Sequence, residues 1–129
     1  MAQIILNSLE DTARFAEMLV AAVSGDAKTR TLLLHGDLGS GKTTLTRFMV
    51  LSLPGGSEAE VSSPSFTLCN HYATVPPVLH CDLYRCAGSL PEELFDALDN
   101  PKVLNIIEWS ELLPDQDRPE EYLDITLKA

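Results

Sequence analysis

The segment from residue 36 to residue 43 reads GDLGSGKT and has the composition of a phosphate-binding loop. It fits the pattern G-x-x-x-x-G-K-[ST], with Gly36, Gly41, Lys42 and Thr43 at the fixed positions. Backbone N–H groups can wrap a phosphate chain only where no Cβ obstructs the approach, which explains the glycines. We expect Lys42 to reach the β- and γ-phosphates and the Thr43 hydroxyl to ligate Mg²⁺. The predicted nucleotide contacts in this loop are Asp37, Leu38, Gly39, Ser40, Gly41, Lys42, Thr43 and Thr44.

Such a loop requires a strand before it and a helix after it. The preceding Thr31–His35 segment, TLLLH, is a continuous apolar run typical of a strand covered on both faces. The following stretch, residues 42–53, is amphipathic and ends at Pro54-Gly55-Gly56, which predicts a helix. A plain glycine-rich turn is the alternative, and the strand and helix on either side favour the nucleotide site.

Two acidic residues follow apolar runs at positions where they could complete this site. Asp82 ends VLHCD and Glu108 ends VLNIIE. A phosphate-binding loop needs an acid at the end of a neighbouring strand to hold Mg²⁺ or its waters. We therefore predict Lys42, Asp82 and Glu108 as catalytic residues and Thr43, Asp82 and Glu108 as metal-binding residues. The pattern leaves open which acid binds the metal directly, and a solvated strand end is the alternative for each.

Residues near these acids have less specific interpretations. Residues 62–67 read SSPSFT, and Ser65 or Thr67 could sense the γ-phosphate as a switch loop does. A simple Ser/Pro turn is the alternative there. Arg85 could stabilise phosphoryl charge or contact a partner, or form a surface salt bridge. Trp109 is typical of a packing residue, and His80 is most simply a structural histidine.

The rest of the chain alternates between strand and helix signals. Ser8 and Asp11 predict a helix start, and apolar residues at helical spacing continue to Gly25. Ser89 and Glu92 predict a second capping box, for a short helix to Leu98. Further strands are predicted at residues 3–6, 66–72, 78–83, 103–107 and 122–128, the last at an edge. The order favours an α/β fold, with parallel strands at the centre and some antiparallel addition, in one domain spanning residues 1–129.

The charge of the chain excludes two classes of function. There are 19 acidic and 9 basic residues, a net charge of −10. A generic binder of nucleic acids or anionic membranes needs clustered positive charge, so neither is expected. No apolar run is long enough to span a bilayer, and the N-terminal residues lack the pattern of a signal peptide. The three cysteines predict reduced thiols in a cytoplasmic protein.

Four sequence blocks together resemble one family. GDLGSGKTTLTR, SSPSFTL, HCDLYR and IIEW occur here in the order and at the distances found in TsaE, a family of small bacterial ATPases formerly known as YjeE. The resemblance implies a P-loop NTPase core, with central parallel strands flanked by antiparallel ones. It also implies a role in synthesising N6-threonylcarbamoyladenosine (t6A) in tRNA. TsaE proteins bind and hydrolyse ATP with Mg²⁺ and reset the TsaB–TsaD complex, so tRNA would be met only indirectly.

The resemblance also implies roles for individual residues. Lys42 and Thr43 match the phosphate and Mg²⁺ positions, and Ser65 keeps the hydroxyl of the SPT/S block. Glu108 then matches a metal ligand and Asp82 the nearby acid that supports catalysis. The resemblance adds three cofactor-binding positions, with Trp109 in the EW block and the adenine contacts near the start of the first helix, at Leu9 and Thr12.

Two other functions are compatible with the same residues. In a small-molecule kinase Asp82 would be the base for an acceptor hydroxyl, although 129 residues leave little room for an acceptor subdomain. A non-hydrolysing nucleotide sensor is disfavoured by the intact set of Lys42, Thr43, Asp82 and Glu108. No strong activating arginine is visible in the P-loop blocks, which predicts slow turnover without a partner.

Overall fold

The structure, a computed structural model, describes residues 5–25, 29–36, 41–57, 61, 68–84 and 90–127. The predicted site residues Asp37, Leu38, Gly39, Ser40 and Ser65, together with Thr67 and Arg85, lie outside the described residues. The helices are α1 (Leu9–Gly25), α2 (Lys42–Ser52) and α3 (Glu92–Leu98), with 3₁₀ turns at Ser110–Leu112 and Asp115–Asp117. The strands are β1 (Thr31–His35), β2 (Cys69–Tyr72), β3 (Val78–Asp82), β4 (Leu104–Glu108) and β5 (Leu123–Thr126).

The five strands form one sheet in the order β2-β3-β4-β1-β5. β4 is parallel to both β1 and β3, and β5 is parallel to β1 at one edge. Among the strands that the structure describes, only β2 is antiparallel, and it pairs with β3 at the other edge. The predicted α/β fold with central parallel strands is therefore confirmed, and β5 is an edge strand as predicted. Parallel order brings the carboxyl ends of β1, β3 and β4 to the same edge of the sheet.

Helices cover both faces of the sheet, which explains why β1 is apolar at successive positions. Leu32 and Leu34 of β1 face the layer formed by α1 and α2, where they join a core that includes Leu45 and Met49. Leu33 points to the opposite face and packs in the second core with Leu94 of α3 and other residues. Alternation along the strands thus assigns each position to one of two buried layers. Val78 and Ile106 lie on the α1–α2 side, whereas Leu79 and Ile107 lie on the α3 side.

The start of α1 agrees with the predicted cap. The backbone N–H of Asp11 donates to Ser8 Oγ at 3.2 Å, which satisfies one of the free N–H groups of the first turn. The strand predicted at residues 3–6 is wrong for its two described residues, because Ile5 and Leu6 are not in a strand. Ile5 is 79% exposed, so it has no sheet surface to cover it. The other residues of that prediction lie outside the described part of the chain.

Two boundaries differ from the predictions for a local reason. α3 begins at Glu92, with Pro91 as its N-cap residue. Ser89, from which the capping box was predicted, lies outside the described residues. Proline restrains its own φ angle and can begin this short helix without a capping side chain. β4 starts at Leu104, since the N–H of Val103 closes a turn onto the Asn100 carbonyl, and it extends through Glu108.

The cysteines require a correction. Cys69 of β2 lies opposite Cys81 of β3 in the antiparallel pair, and the structure joins the two in a disulfide. The prediction of reduced thiols rested on the odd number of cysteines and on the expected compartment. The number of cysteines and the compartment carry no information about strand register. The register of β2 and β3 is what brings these two side chains together. Cys86 lies outside the described residues.

Candidate functional site

The N-terminus of α2 presents backbone N–H groups that could bind an anion. Gly41 precedes the helix with φ 99°, a left-handed conformation that favours glycine. A Cβ there would meet nothing within 4 Å, so the requirement is conformational and not steric. Within the described part of the chain, no side chain is recorded as capping this helix end. The N–H groups of Lys42, Thr43 and Thr44 therefore point out of the helix end, where the helix dipole favours an anion.

Lys42 lies between three groups that the sheet and its loops supply. Its side chain is 7% exposed, and Nζ donates a hydrogen bond of 2.5 Å to the carbonyl oxygen of Gly36. Nζ is also 4.0 Å from Glu108 Oε1 and 4.8 Å from the centroid of the Trp109 ring. The ammonium group of Lys42 can bind phosphate oxygens in this position, and the Glu108 carboxylate beside it balances its positive charge.

The two predicted acids meet at the carboxyl edge of the sheet. Asp82 is the last residue of β3 and Glu108 the last of β4, and the parallel register places them opposite each other. Both are buried, with 5% and 3% of their surface exposed. The backbone N–H of Tyr84 donates to Asp82 Oδ1 at 3.0 Å, which directs that carboxylate. The structure thus brings Lys42, Asp82 and Glu108 to one place.

His80 is a residue at this site that the sequence interpretation left in a purely structural role. It is fully buried, and its Nε2 lies 2.5 Å from Glu108 Oε2. The available signal was its position two residues before Asp82, because residues two apart in a strand share a face. The contact itself depends on the pairing of β3 with β4, which the sequence does not reveal.

Trp109 and Tyr84 form an aromatic pair beside the buried acids. Trp109 follows Glu108 with φ 58°, which turns the chain sharply at the end of β4. Its ring lies 4.8 Å from that of Tyr84, measured between centroids, and Tyr84 is largely exposed. Trp109 therefore packs, as its type indicated, and also contacts Lys42 through its ring face.

Side chains from β5 and from the 3₁₀ turn after β4 contact His35 at the end of β1. His35 pairs with Asp124 of β5 through Nε2 and Oδ1, and its ring lies 3.3 Å from Ser110 Oγ. The guanidinium of Arg118 donates to the Ser110 carbonyl at 3.1 Å. Since His35 directly precedes Gly36, these contacts hold the strand end from which the predicted loop leaves.

Leu9 and Thr12, the proposed adenine contacts, lie in the first turn of α1. Thr12 Oγ1 donates within that turn to the Ser8 carbonyl, and the Leu9 side chain is exposed. α1 packs against α2, so this turn belongs to the same layer as Lys42. The structure gives neither residue a contact that identifies a base.

A cavity of about 300 Å³ lies away from this site, at the amino-terminal ends of β1 and β4. Arg30, Thr31 and Asn105 are among the residues lining it, and the predicted site residues are not. We assign the candidate site to the carboxyl edge because the phosphate-binding helix end, the lysine and the acids converge there. Among the described residues, no helix is long and apolar enough to cross a membrane.

Comparison with known proteins identifies the family. The family model described as "Threonylcarbamoyl adenosine biosynthesis protein TsaE" matches residues 6–129. The chain belongs to the TsaE family. The TsaE protein of Rickettsia bellii is 36% identical over 98% of this chain and 85% of its own length. The TsaE protein of Bacillus subtilis is 35% identical over 92% of this chain and 72% of its own length.

A solved structure supports the same assignment. The crystal structure of Bacillus subtilis YdiB superposes with a TM-score of 0.70 and 28% sequence identity. The match covers 95% of this chain and 73% of YdiB. The TsaE resemblance carried by the four sequence blocks is thereby confirmed, as is the P-loop fold.

Proposed function

We propose that this chain is the ATPase subunit of the bacterial machinery that makes t6A in tRNA. It binds ATP with Mg²⁺, hydrolyses it slowly, and through this turnover drives the cycle of the TsaB–TsaD complex. The observation that carries the proposal is the position of Lys42, at the start of α2 and 4.0 Å from the buried Glu108. Family membership supplies the pathway, since the matching family is described by threonylcarbamoyl adenosine biosynthesis.

The phosphates of ATP are bound by backbone and lysine together. The uncapped end of α2 offers N–H donors at Lys42, Thr43 and Thr44, and Lys42 adds a positive charge. The nucleotide-contact role of residues 37–40 and of Ser65 remains a prediction from the sequence pattern. So does adenine recognition at Leu9 and Thr12.

The donor set at the carboxyl edge fits Mg²⁺, which prefers oxygen ligands and keeps several waters. The residues that would hold it are Thr43 and Glu108, with Asp82 binding the ion or one of its waters. Among the described residues, no group of three or more His, Cys, Asp and Glu side chains could hold a metal. The remaining ligands of the ion would be phosphate and water oxygens. When bound, Mg²⁺ would neutralise charge on the β- and γ-phosphates.

In the hydrolysis step a water oxygen bonds to the γ-phosphorus, and the bond to the bridging oxygen of ADP breaks. We assign Asp82 to accept or orient the proton of that water and Lys42 to stabilise the phosphate charge. The products are ADP and inorganic phosphate. Turnover by the isolated chain is expected to be slow, because positive charge supplied by a partner can be worth roughly 10³–10⁵ in rate.

The charge of the chain supports indirect contact with tRNA. A net charge of −10 disfavours direct binding to the phosphate backbone of tRNA, which requires clustered positive charge. TsaB and TsaD are therefore proposed to handle the tRNA, in the bacterial cytoplasm. The acids of the C-terminal third of the chain are available to face solvent or a partner.

Reconstitution tests the proposal. The protein is mixed with TsaB, TsaD, threonylcarbamoyl-adenylate and tRNA, and both phosphate release and modified-base yield are followed over several turnovers. We expect both to depend on Lys42 and Glu108, so that both are lost in Lys42→Ala and fall in Glu108→Gln when Mg²⁺ is limiting. Arg47→Ala, on the exposed side of the same helix, is the matched control. Unchanged phosphate release and t6A yield in both site variants would overturn the proposal.

A further inference from the structure

We propose that His80 is a positioning residue, which holds the Glu108 carboxylate in the orientation needed to bind the metal ion of the nucleotide complex. This inference rests on the proposed function of the site, because it assigns Glu108 a metal-binding role. It adds to that function a residue that does not itself touch the nucleotide or the ion.

The contact is short and fully enclosed. His80 Nε2 lies 2.5 Å from Glu108 Oε2, and the two side chains are 0% and 4% exposed. β3 and β4 are neighbours in parallel register, and His80 lies opposite Ile106, two positions before Glu108. Because both strands belong to the central part of the sheet, this geometry is held by backbone hydrogen bonds on both sides of the pair.

The ring has no other polar role in the described part of the chain. Its Nδ1 is buried and has no hydrogen-bond partner there. Apart from the acids Asp82 and Glu108 at the strand ends, the neighbouring residues on the same face are apolar, namely Val78, Leu104 and Ile106. A histidine required only for packing would leave Nδ1 unpaired without compensation, and an apolar side chain would fill the same layer better. The hydrogen bond to Glu108 is therefore the contact that explains a histidine here.

The two oxygens of Glu108 have different neighbours. Oε2 faces His80, whereas Oε1 faces Lys42 Nζ at 4.0 Å. A carboxylate that binds a metal ion is ionised and only accepts hydrogen bonds, so the proposal assigns the Nε2–H of His80 as the donor. This bond fixes the rotation of the carboxylate and leaves Oε1 directed toward the predicted phosphate site. Groups that orient metal ligands in this way typically change metal affinity by about 10–100-fold when they are replaced.

The test compares His80→Leu, which removes the donor, with His80→Gln, whose amide can donate from nearly the same place. Val78→Ala is the matched control, since it perturbs the same face of β3 without touching Glu108. Mn²⁺ binding to each protein is measured by electron paramagnetic resonance with ADP present. The Mg²⁺ dependence of ATP hydrolysis and the affinity for ADP without metal are measured alongside, and thermal unfolding verifies folding.

For His80→Leu we expect Mn²⁺ affinity to fall by about 10–100-fold, while metal-free ADP affinity stays near that of the wild type. His80→Gln should recover most of the loss, and Val78→Ala should leave Mn²⁺ affinity unchanged. Wild-type Mn²⁺ affinity in a folded His80→Leu would overturn the inference. So would a loss in His80→Gln as large as in His80→Leu, or an equal loss in Val78→Ala. If the wild type itself neither binds ADP with Mn²⁺ nor hydrolyses ATP, the proposed function fails instead.

Discussion

Asp82 and Glu108 lie directly opposite each other as the last residues of two adjacent parallel strands. Each is buried, and each has a separate group that directs it, the Tyr84 backbone N–H for Asp82 and the His80 ring for Glu108. Lys42, at the start of α2, faces Glu108 on this edge of the sheet. The two acids are therefore expected to have separable roles, whereas Glu108 and Lys42 form one buried ion pair and are coupled.

Replacing Lys42 with alanine is expected to weaken ATP binding strongly. A hydrogen bond to a charged group is worth about 1.5–3 kcal/mol, which corresponds to roughly 10–150-fold in affinity. Isothermal titration calorimetry with ATP and Mg²⁺ measures this loss. The control is Arg47→Ala, which removes the same charge from the exposed side of α2. Equal affinities for the Lys42→Ala variant and the wild type would contradict the assigned role.

The two acids should respond differently to neutralisation. Glu108→Gln is expected to raise the Mg²⁺ concentration for half-maximal hydrolysis, since it removes a charge that holds the ion. Asp82→Asn is expected to lower kcat by roughly 10²-fold or more, because it removes the group assigned to the attacking water. Steady-state kinetics over a Mg²⁺ series separates the two effects, with the exposed Asp96→Asn of α3 as control. The reverse pattern would show that the acids exchange roles.

The fluorescence of Trp109 should report occupation of the site. It is the only tryptophan in the chain, and its ring lies 4.8 Å from the Lys42 ammonium. Nucleotide phosphates compete for that ammonium, so ADP with Mg²⁺ should change the emission of the ring. Titration in a fluorimeter measures the change, and Lys42→Ala should abolish it. Lys102→Ala, at an exposed position, should keep it; the same loss in that variant would contradict the interpretation.

The disulfide between Cys69 and Cys81 should stabilise the fold. A cross-link that closes a short loop contributes about 2–3 kcal/mol to the free energy of unfolding, mainly by restricting the unfolded chain. We expect Cys81→Ser to lose about that amount, as measured by urea unfolding without reductant. Reductant should destabilise the wild type by a similar amount and leave Cys81→Ser unaffected. Free Cys69 and Cys81 thiols in the denatured, non-reduced wild type would contradict the pairing.

Much of the central architecture follows from local sequence signals. The apolar Thr31–His35 strand, the helix that starts at Lys42 and the Ser8 cap of α1 all lie where the pattern places them. The signals failed where the environment decides. Residues 5 and 6 have strand composition but do not pair with the described sheet. The start of α3 at Glu92 is instead a local matter, since Pro91 directly precedes the helix as its N-cap.

The candidate site divides in the same way. Lys42, Asp82 and Glu108 could be selected from the sequence, since each stands at the end of an apolar run or in a fixed motif position. The role of His80 could not be selected, because it depends on a contact between side chains 28 residues apart. The Cys69–Cys81 pairing was missed for the same reason, as it requires the register of β2 and β3.

By itself the sequence determined the family, the phosphate-binding motif and the acids that accompany it, because these depend on residue types at short or recurring distances. Only the tertiary structure decided that Glu108 lies between Lys42 and His80 and that Asp82 lies opposite it. The reason is that strand order and register join distant segments through hydrogen bonds and burial that a single segment does not contain. The chemistry of each side chain was thus readable locally, whereas its neighbours were fixed by the sheet.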